Sequence, residues 1–438
     1  MKHFLLLLLL FCATTWSVAQ NTDGKLIRAK EFYKKGKYEA VLSILNTDRN
    51  MRLNNPDAQF MIALAKYHLN DLDEAEALLQ ALLNHPKKTF REALMYIGRI
   101  YHARNQFPEA TKYYKSYLKS LPSNHSHRAM VRDAIRRCSN GIQLQFQEGL
   151  AFVENLGESI NTKYDEFGIV FSPSNFKRLY FSSARPGSMG GLKDKYGRPD
   201  NLLGAYRYDM YSVIKEGNNW LPTQPLHYFL NSPDSEVVLG FSSEGNTLFY
   251  YKGKTLENGQ IFVDTFRQNR RTMSSDPFLG PVDAVSSITA PQFLDSKTIL
   301  FSSRRPGGYG GFDIYQTSYL NGEWSTPKNL GPDINSAYDE VTPFLAPDRK
   351  TLYFSSNNSN SSIGGFDVYK SVYNTKRLQW SLPYNLGLSV NSAGDDTHFK
   401  LARDGYTAYF TSNRKDGYGQ RDLYVAYFYD YQKEVSTN

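Results

Sequence analysis

The stretch Phe301-Ser302-Ser303-Arg304-Arg305-Pro306-Gly307-Gly308-Tyr309-Gly310-Gly311-Phe312-Asp313-Ile314-Tyr315 sets the architecture of the larger part of this chain. A short aromatic strand ends in two serines. A turn rich in Gly and Pro follows, and a second strand opens on an Asp. The pattern returns along the chain. Leu352-Tyr353-Phe354-Ser355-Ser356 leads to Asp367-Val368-Tyr369, Leu179-Tyr180-Phe181-Ser182-Ser183 to Asp209-Met210-Tyr211, and Ala408-Tyr409-Phe410-Thr411-Ser412 to Asp422-Leu423-Tyr424. Leu248-Phe249-Tyr250 with Ile261-Phe262-Val263 is a divergent copy. A Trp comes next at Trp220, Trp324 and Trp380, and then Asn329-Leu330-Gly331 or Asn385-Leu386-Gly387. Units of about 50–70 residues holding four strands each are blades of a β-propeller. Five blades is the count, with six as the alternative if another lies within residues 253–285.

The ends of this region predict how the ring closes. Past Tyr424 there is room for only part of one more strand. Yet Asn155-Leu156-Gly157-Glu158-Ser159-Ile160-Asn161 repeats Asn329-Leu330-Gly331-Pro332-Asp333-Ile334-Asn335, the outer strand and exit of a blade. Residues of about 150–156 are therefore expected to supply the outer strand of the fifth blade, which leaves no open sheet edge.

Upstream the periodicity is helical. Gly36-Lys37-Tyr38-Glu39-Ala40-Val41, Asn70-Asp71-Leu72-Asp73-Glu74-Ala75 and Asn105-Gln106-Phe107-Pro108-Glu109-Ala110 align, with Val41, Ala75 and Ala110 in one position at spacings of 34 and 35. Leu94, Ile97, Gly98 and Tyr101 mark one helix face, and Tyr113, Tyr114, Tyr117 and Leu118 another. Pro86 and Pro122 end second helices. Small residues such as Gly98, Ala63, Ala75 and Ala110 let paired helices approach. Residues 126–140 read as a capping helix, with Val131 and Cys138 on its apolar side. Arg128, Arg132, Arg136 and Arg137 are expected on its solvated side.

The fold class is thus α+β multidomain: residues 1–19 a leader, 20–145 a helical array with its cap, 146–438 an all-β propeller. Hydrophobic residues at 41% and charged residues at 21% of 438 describe globular domains. Lys2, the apolar run Phe4 to Phe11 and Ser17-Val18-Ala19 read as a signal peptide cleaved before Gln20. Phe11 before Cys12 argues against a lipoprotein. Cys138 then stands alone, so no internal disulfide and no cysteine metal site are expected. Residues 20–150 carry 21 Lys and Arg against 13 acids, and residues 151–438 carry 29 against 30. The basic surplus sits in the helical region, and export argues against a nucleic-acid partner.

The helical region resembles the tetratricopeptide repeat over about residues 25–122. The propeller resembles the TolB-like, WD-like repeat, most specifically over residues 301–315. Together with the leader, the chain is similar to exported envelope proteins of Bacteroidetes-type bacteria, some associated with type IX secretion. Relatives of that kind often carry an OmpA-like peptidoglycan-binding domain, which is not expected here. The resemblance implies an interaction scaffold, peripheral to the membrane, whose partners are other envelope proteins.

Two constellations repeat blade by blade. Arg185, Arg305 and Arg414 follow the second strand, and Asp209, Asp313 and Asp422 open the third. Arg–Asp pairs locking each blade tip are the expectation, with Asn358 and Asp367 in the fourth blade. Acids also precede the inner strands: Asp165 and Glu166, Glu236, Asp339 and Glu340, Asp395 and Asp396, with Ser286-Ser287 in the third blade. Propeller symmetry would arrange them around one channel mouth, as a ring able to hold a cation or a basic peptide end. Capping of local turns is the competing reading. A catalytic site needs one copy to differ chemically from the others, and no nucleophile elbow, phosphate loop or metal-ligand histidine pair stands out. No cofactor is expected. The function expected is a non-enzymatic envelope scaffold. Alternatives are a glycan- or peptidoglycan-binding propeller and, further off, a propeller glycoside hydrolase.

Overall fold

The computed structural model describes residues 24–86, 90–172, 175, 177–242, 245–265, 275–282, 290–295 and 297–431. Residues 1–19, expected to be a leader, with Cys12 among them, and Ser286-Ser287 lie outside these residues. The chain divides into two units, one ending at Ile135 and one running from Arg136.

The first unit is helical. Residues 24–34 (α1) and Tyr38–Asn46 (α2) form one pair, Pro56–His68 (α4) and Leu72–Leu83 (α5) a second, and Arg91–Ala103 (α6) and Phe107–Ser120 (α7) a third. A short helix, Arg49–Asn54 (α3), sits between the first two pairs and was not legible in the periodicity. The aligned turn residues have a common cause. Gly36, Asn70 and Asn105 all adopt positive φ, at 69°, 63° and 58°, the left-handed region that Gly and Asn enter at least cost. Asn55 caps α4 by accepting the N–H groups of Asp57 and Ala58 at 3.0 Å. Ala63, Ala75, Leu79, Ile97 and Ile100 are buried in one core. A Cβ at Gly98 would lie 2.7 Å from the buried Tyr114 ring, so glycine sets the closeness of α6 and α7.

Helix α8 (His127–Leu144) crosses the boundary in sequence. Its arginines are not a uniformly solvated row. Arg128 donates to Leu118 O and Leu121 O at 3.0 Å. Within the second unit, Arg137 donates to the carbonyls of Asn357 and Gly365 at 2.9 Å and to Gly364 O. Asn140 donates to Ser359 O and Ser362 O at 3.1 and 2.8 Å. Carbonyls of one turn in the fourth blade converge on this guanidinium, whose planar fork of N–H donors can meet several acceptors at once.

The second unit is a five-bladed propeller. The blades begin with the strands Glu166–Phe171, Ser235–Phe241, Gln292–Asp295, Glu340–Leu345 and Asp396–Leu401, each hydrogen-bonded outward to the next strand of its blade. These five inner strands touch in order, and the fifth returns to the first. The propeller has five blades, not six: the described residues of 253–285 include the outer strands of blade two, Gly259–Asp264 and Asp276–Pro277. Ala151–Asn155 pairs antiparallel with Asp422–Phe428, so the fifth sheet contains strands from both ends of the unit.

The repeated Asn-Leu-Gly motif explains this closure. Asn335 donates to Ile314 O and accepts its N–H, and Asn391 does the same with Val368. Asn161 makes the same pair of bonds with Leu423, at 2.9 and 2.8 Å. Asn155 completes the match by donating to Asp422, as Asn329 does to Asp313 and Asn385 to Asp367. The chain break between blade five and its outer strand is bonded like an unbroken blade.

Candidate functional site

The repeated acids divide into two roles. Glu166, Glu236, Glu340 and Asp396 are 0%, 0%, 1% and 0% exposed, so they do not face an open channel mouth. Each accepts the N–H of the residue four before it, Thr162, Ser232, Ser336 or Ser392, at 2.6–2.9 Å. Hydroxyls of the same residues add further bonds to the carboxylates, as Thr162 does to Glu166 at 2.8 Å. Burial pushes Glu166 and Glu236 up to about 7 against these donors and the neighbouring cations.

The acids one position earlier tie neighbouring blades. Asp339 accepts the Phe312 N–H at 2.9 Å, and Asp395 accepts the Phe366 N–H at 3.0 Å. Asp165 accepts Arg421 twice at 2.7 Å and the Tyr208 hydroxyl at 2.6 Å. Turn capping and blade joining account for all seven acids. Among the described residues, no group of three or more His, Cys, Asp or Glu is arranged to hold a metal ion.

The expected Arg–Asp tip pairs are not formed. Arg185 lies 3.2 Å from Glu166, and Arg414 lies 2.7 Å from Asp396. Arg305 donates to Ser303 Oγ and Pro281 O at 3.2 and 3.0 Å. All three guanidinium groups stack on the aromatic pair of their own blade, Phe181 with Tyr211, Phe301 with Tyr315, and Phe410 with Tyr424. This folds the Arg back over the sheet and away from the tip. The aspartates hold the tip turns instead: Asp209 accepts Met189 N–H at 2.9 Å, Asp313 accepts Tyr309 N–H at 2.6 Å, Asp367 accepts Ile363 N–H at 2.7 Å, and Asp422 accepts Tyr418 N–H. Asn358 accepts Asn360 N–H, with no bond to Asp367.

A cavity of about 580 Å³ opens at the other end of the inner strands. Five positions, one per blade, line it: Val170, Gly240, Gln292, Phe344 and Lys400. Each faces the same place on its second strand, at Tyr180, Phe249, Leu300, Tyr353 and Tyr409. Four are neutral and one is cationic. Lys400 is 8% exposed, and its ammonium rests over the Phe344 ring at 5.3 Å. No carboxylate lies within ion-pair reach of it among the described residues, and burial pulls it down to about 8. A bulge at His398, φ 55°, aims this strand as the bulges at Gly168 and Thr342 aim theirs. Sequence reading followed the acids and missed Lys400. The signal was there: it is the charged copy of an otherwise neutral repeat position.

In the helical unit, the first helices of the three pairs contribute one run of polar aromatics. Tyr33 of α1 meets His68 of α4 at 3.0 Å and Tyr96 of α6 at 3.4 Å, hydroxyl to ring nitrogen and hydroxyl to hydroxyl. Tyr38 stacks on His68 at 4.4 Å. Arg99 lies over Tyr96 at 5.2 Å. These side chains are half-buried, so ring faces and a cation remain open along the row.

A tetratricopeptide-repeat family model matches residues 57–87 and 92–124. No curated protein matches the chain. Solved structures similar to it include TolB from Acinetobacter baumannii, at 14% identity and TM-score 0.30 over 69% of this chain and 59% of that one. The NanB sialidase from Streptococcus pneumoniae matches at 10% identity and TM-score 0.33, over 66% and 58%. A GH74 enzyme from Niastella koreensis matches at 14% and 0.30, over 56% and 33%. The chain thus spans less than two thirds of the length of each of these three. At these identities the likeness concerns the fold and says nothing of activity.

Proposed function

We propose that this chain is an exported, non-enzymatic scaffold that docks other envelope proteins, with the helical array as its principal contact surface. The Tyr33–His68–Tyr96–Arg99 row carries this reading. It places aromatic faces, hydroxyls and a guanidinium from three successive repeats on one side of the array, the residue types that dominate protein interfaces. The basic surplus of residues 20–150 favours an acidic partner segment. The carboxylates a propeller hydrolase would need are spent on turns and blade joints, which supports a structural propeller. Among the described residues, no helix is long and apolar enough to cross a membrane. Export rests on the sequence of residues 1–19, and the setting that fits it is a secretion or outer-membrane assembly.

A photo-crosslinking residue at position 96, compared with one at the exposed Glu109 on α7, tests the docking surface in producing cells. Discrete adducts from position 96 and none from 109 are the expected result. Equal adducts from both positions, or none from 96, would overturn it. Recovery of mature protein beginning at Gln20 tests export.

A further inference from the structure

We propose that the cavity ringed by Val170, Gly240, Gln292, Phe344 and Lys400 binds a small organic anion, a carboxylate carried on an apolar chain, with the Lys400 ammonium as its counter-ion. The proposal does not rest on the scaffold reading above, because it concerns a different surface and a different class of ligand.

The argument starts from symmetry. Five blades place five equivalent side chains around the cavity, and packing alone asks the same of each. Val170 and Phe344 answer with apolar groups. Gln292 is used between blades: it donates to Leu345 O at 3.0 Å and accepts the Leu345 N–H at 2.5 Å. Lys400 has no such use. An ammonium withdrawn from water with no carboxylate in ion-pair reach among the described residues is unfavourable, and a Leu or Met there would be better for folding alone. The charge is placed where a ligand can reach it.

The walls define the rest of that ligand. Phe171, Phe241, Phe293 and Phe344 line the cavity, and the volume is in the range of small-molecule sites. Lys215 and Arg403 also face it, against one acid, Asp404. The Asp404 carboxylate already accepts the N–H groups of Tyr406 and Thr407 at 2.9 and 2.8 Å. The local field is positive, so an anion is preferred over a neutral or cationic chain. The Lys400 ammonium is the buried cation of the site and pairs with the carboxylate head, while the phenylalanine walls take the apolar chain.

Ionisation gives a second handle. The groups around the cavity and behind Lys400 are Lys215, Arg403, Asp404, Tyr409, Tyr427 and, on its own strand, His398 with Arg421 beside it. Burial and neighbouring cations hold His398 down to about 3, so it stays neutral. Burial raises Tyr409 and Tyr427 above the ordinary tyrosine range. Lys400, at about 8, is the group that burial brings into the neutral-to-alkaline window.

Calorimetric titration of the full chain with sodium octanoate, octanol and octyltrimethylammonium tests this. Octanoate is expected to bind at least about tenfold more tightly than either control. Lys400→Met should cost octanoate about tenfold or more and leave octanol unchanged, while Lys400→Arg retains octanoate. If Lys400→Met does not fold, the unmodified protein still decides, because octanoate affinity should fall about tenfold or more between pH 7 and 9.5. Equal binding of octanoate and octanol, no octanoate binding at millimolar concentration, or affinity independent of pH would overturn the proposal.

Discussion

Arg421 in the last blade donates two hydrogen bonds of 2.7 Å to Asp165 in the first. The equivalent positions in blades one, three and four are Tyr208, Phe312 and Phe366, so the joint that closes the ring uses a charge where these three blades carry a ring. Arg421 also lies 3.9 Å over the Phe167 face. Asp165→Asn removes the charge and leaves Arg421 enclosed. The expected loss is about 2–3 kcal/mol in urea unfolding, below the full cost for a completely buried pair. The exposed Glu158→Gln should stay within about 0.5 kcal/mol.

The outer strand of blade five should be sensitive to its backbone and indifferent to one of its side chains. Leu156 N–H donates to Leu423 O at 3.0 Å. By the two-residue period of an antiparallel ladder, Glu154 is the next donor. Its side chain is exposed. Glu154→Pro is expected to cost about 3 kcal/mol or to favour association through the freed edge, while Glu154→Ala is nearly neutral. Thermal melts and light scattering read both.

Asp209 should weaken the fold as pH rises. Its side chain is fully buried, one oxygen accepts Met189 N–H, and the other has no partner. Burial pushes it up to about 6, above the ordinary carboxylate. The folded state therefore holds its proton more tightly than the unfolded state. This contribution is fully present below about pH 4 and is lost as pH climbs through about 6. Asp209→Asn keeps an oxygen for Met189 and removes the ionisation. It is expected to be more stable than the parent at pH 7, on the order of 1–2 kcal/mol, and to lose that advantage at pH 4. Denaturant midpoints at the two pH values check this.

Gly98→Ala tests the closest helix contact. The new methyl would meet the Tyr114 ring at 2.7 Å, and Tyr114 is 2% exposed with little room to move. Although alanine favours a helix, overpacking should dominate, at about 1–3 kcal/mol lost. Circular-dichroism melting of the helical signal measures it.

Much of the fold was readable because it repeats. The Asn at positions 70 and 105 and the Gly at 36 could be aligned in advance, since one backbone conformation demands them each time. The Trp, the paired serines and the Asn-Leu-Gly motif likewise recur, each in three of the five blades. The candidate sites were read less well. Arg305 and Asp313 are eight residues apart across a turn, which suggests a pair, but the guanidinium has a better neighbour in the rings of Phe301 and Tyr315. The acid positions were found while their use was not, since whether a carboxylate faces water or caps a turn depends on strands far away in the chain.

Periodicity of 34–35 residues in one region and of strand units in the other was enough to specify helical pairs, a propeller and a sheet shared between its two ends, because each pattern buries its apolar side in that way; the choice of five blades over six was made by the structure. Three-dimensional packing assigned the charges. It turned Arg185 and Arg414 toward the inner-strand acids, drew Arg137 onto the carbonyls of a turn in blade four, and left Lys400 at the wall of a cavity with no carboxylate in ion-pair reach among the described residues. Hydrophobic burial follows local pattern, whereas the partner of a charge is whichever group the folded chain brings within a few ångströms.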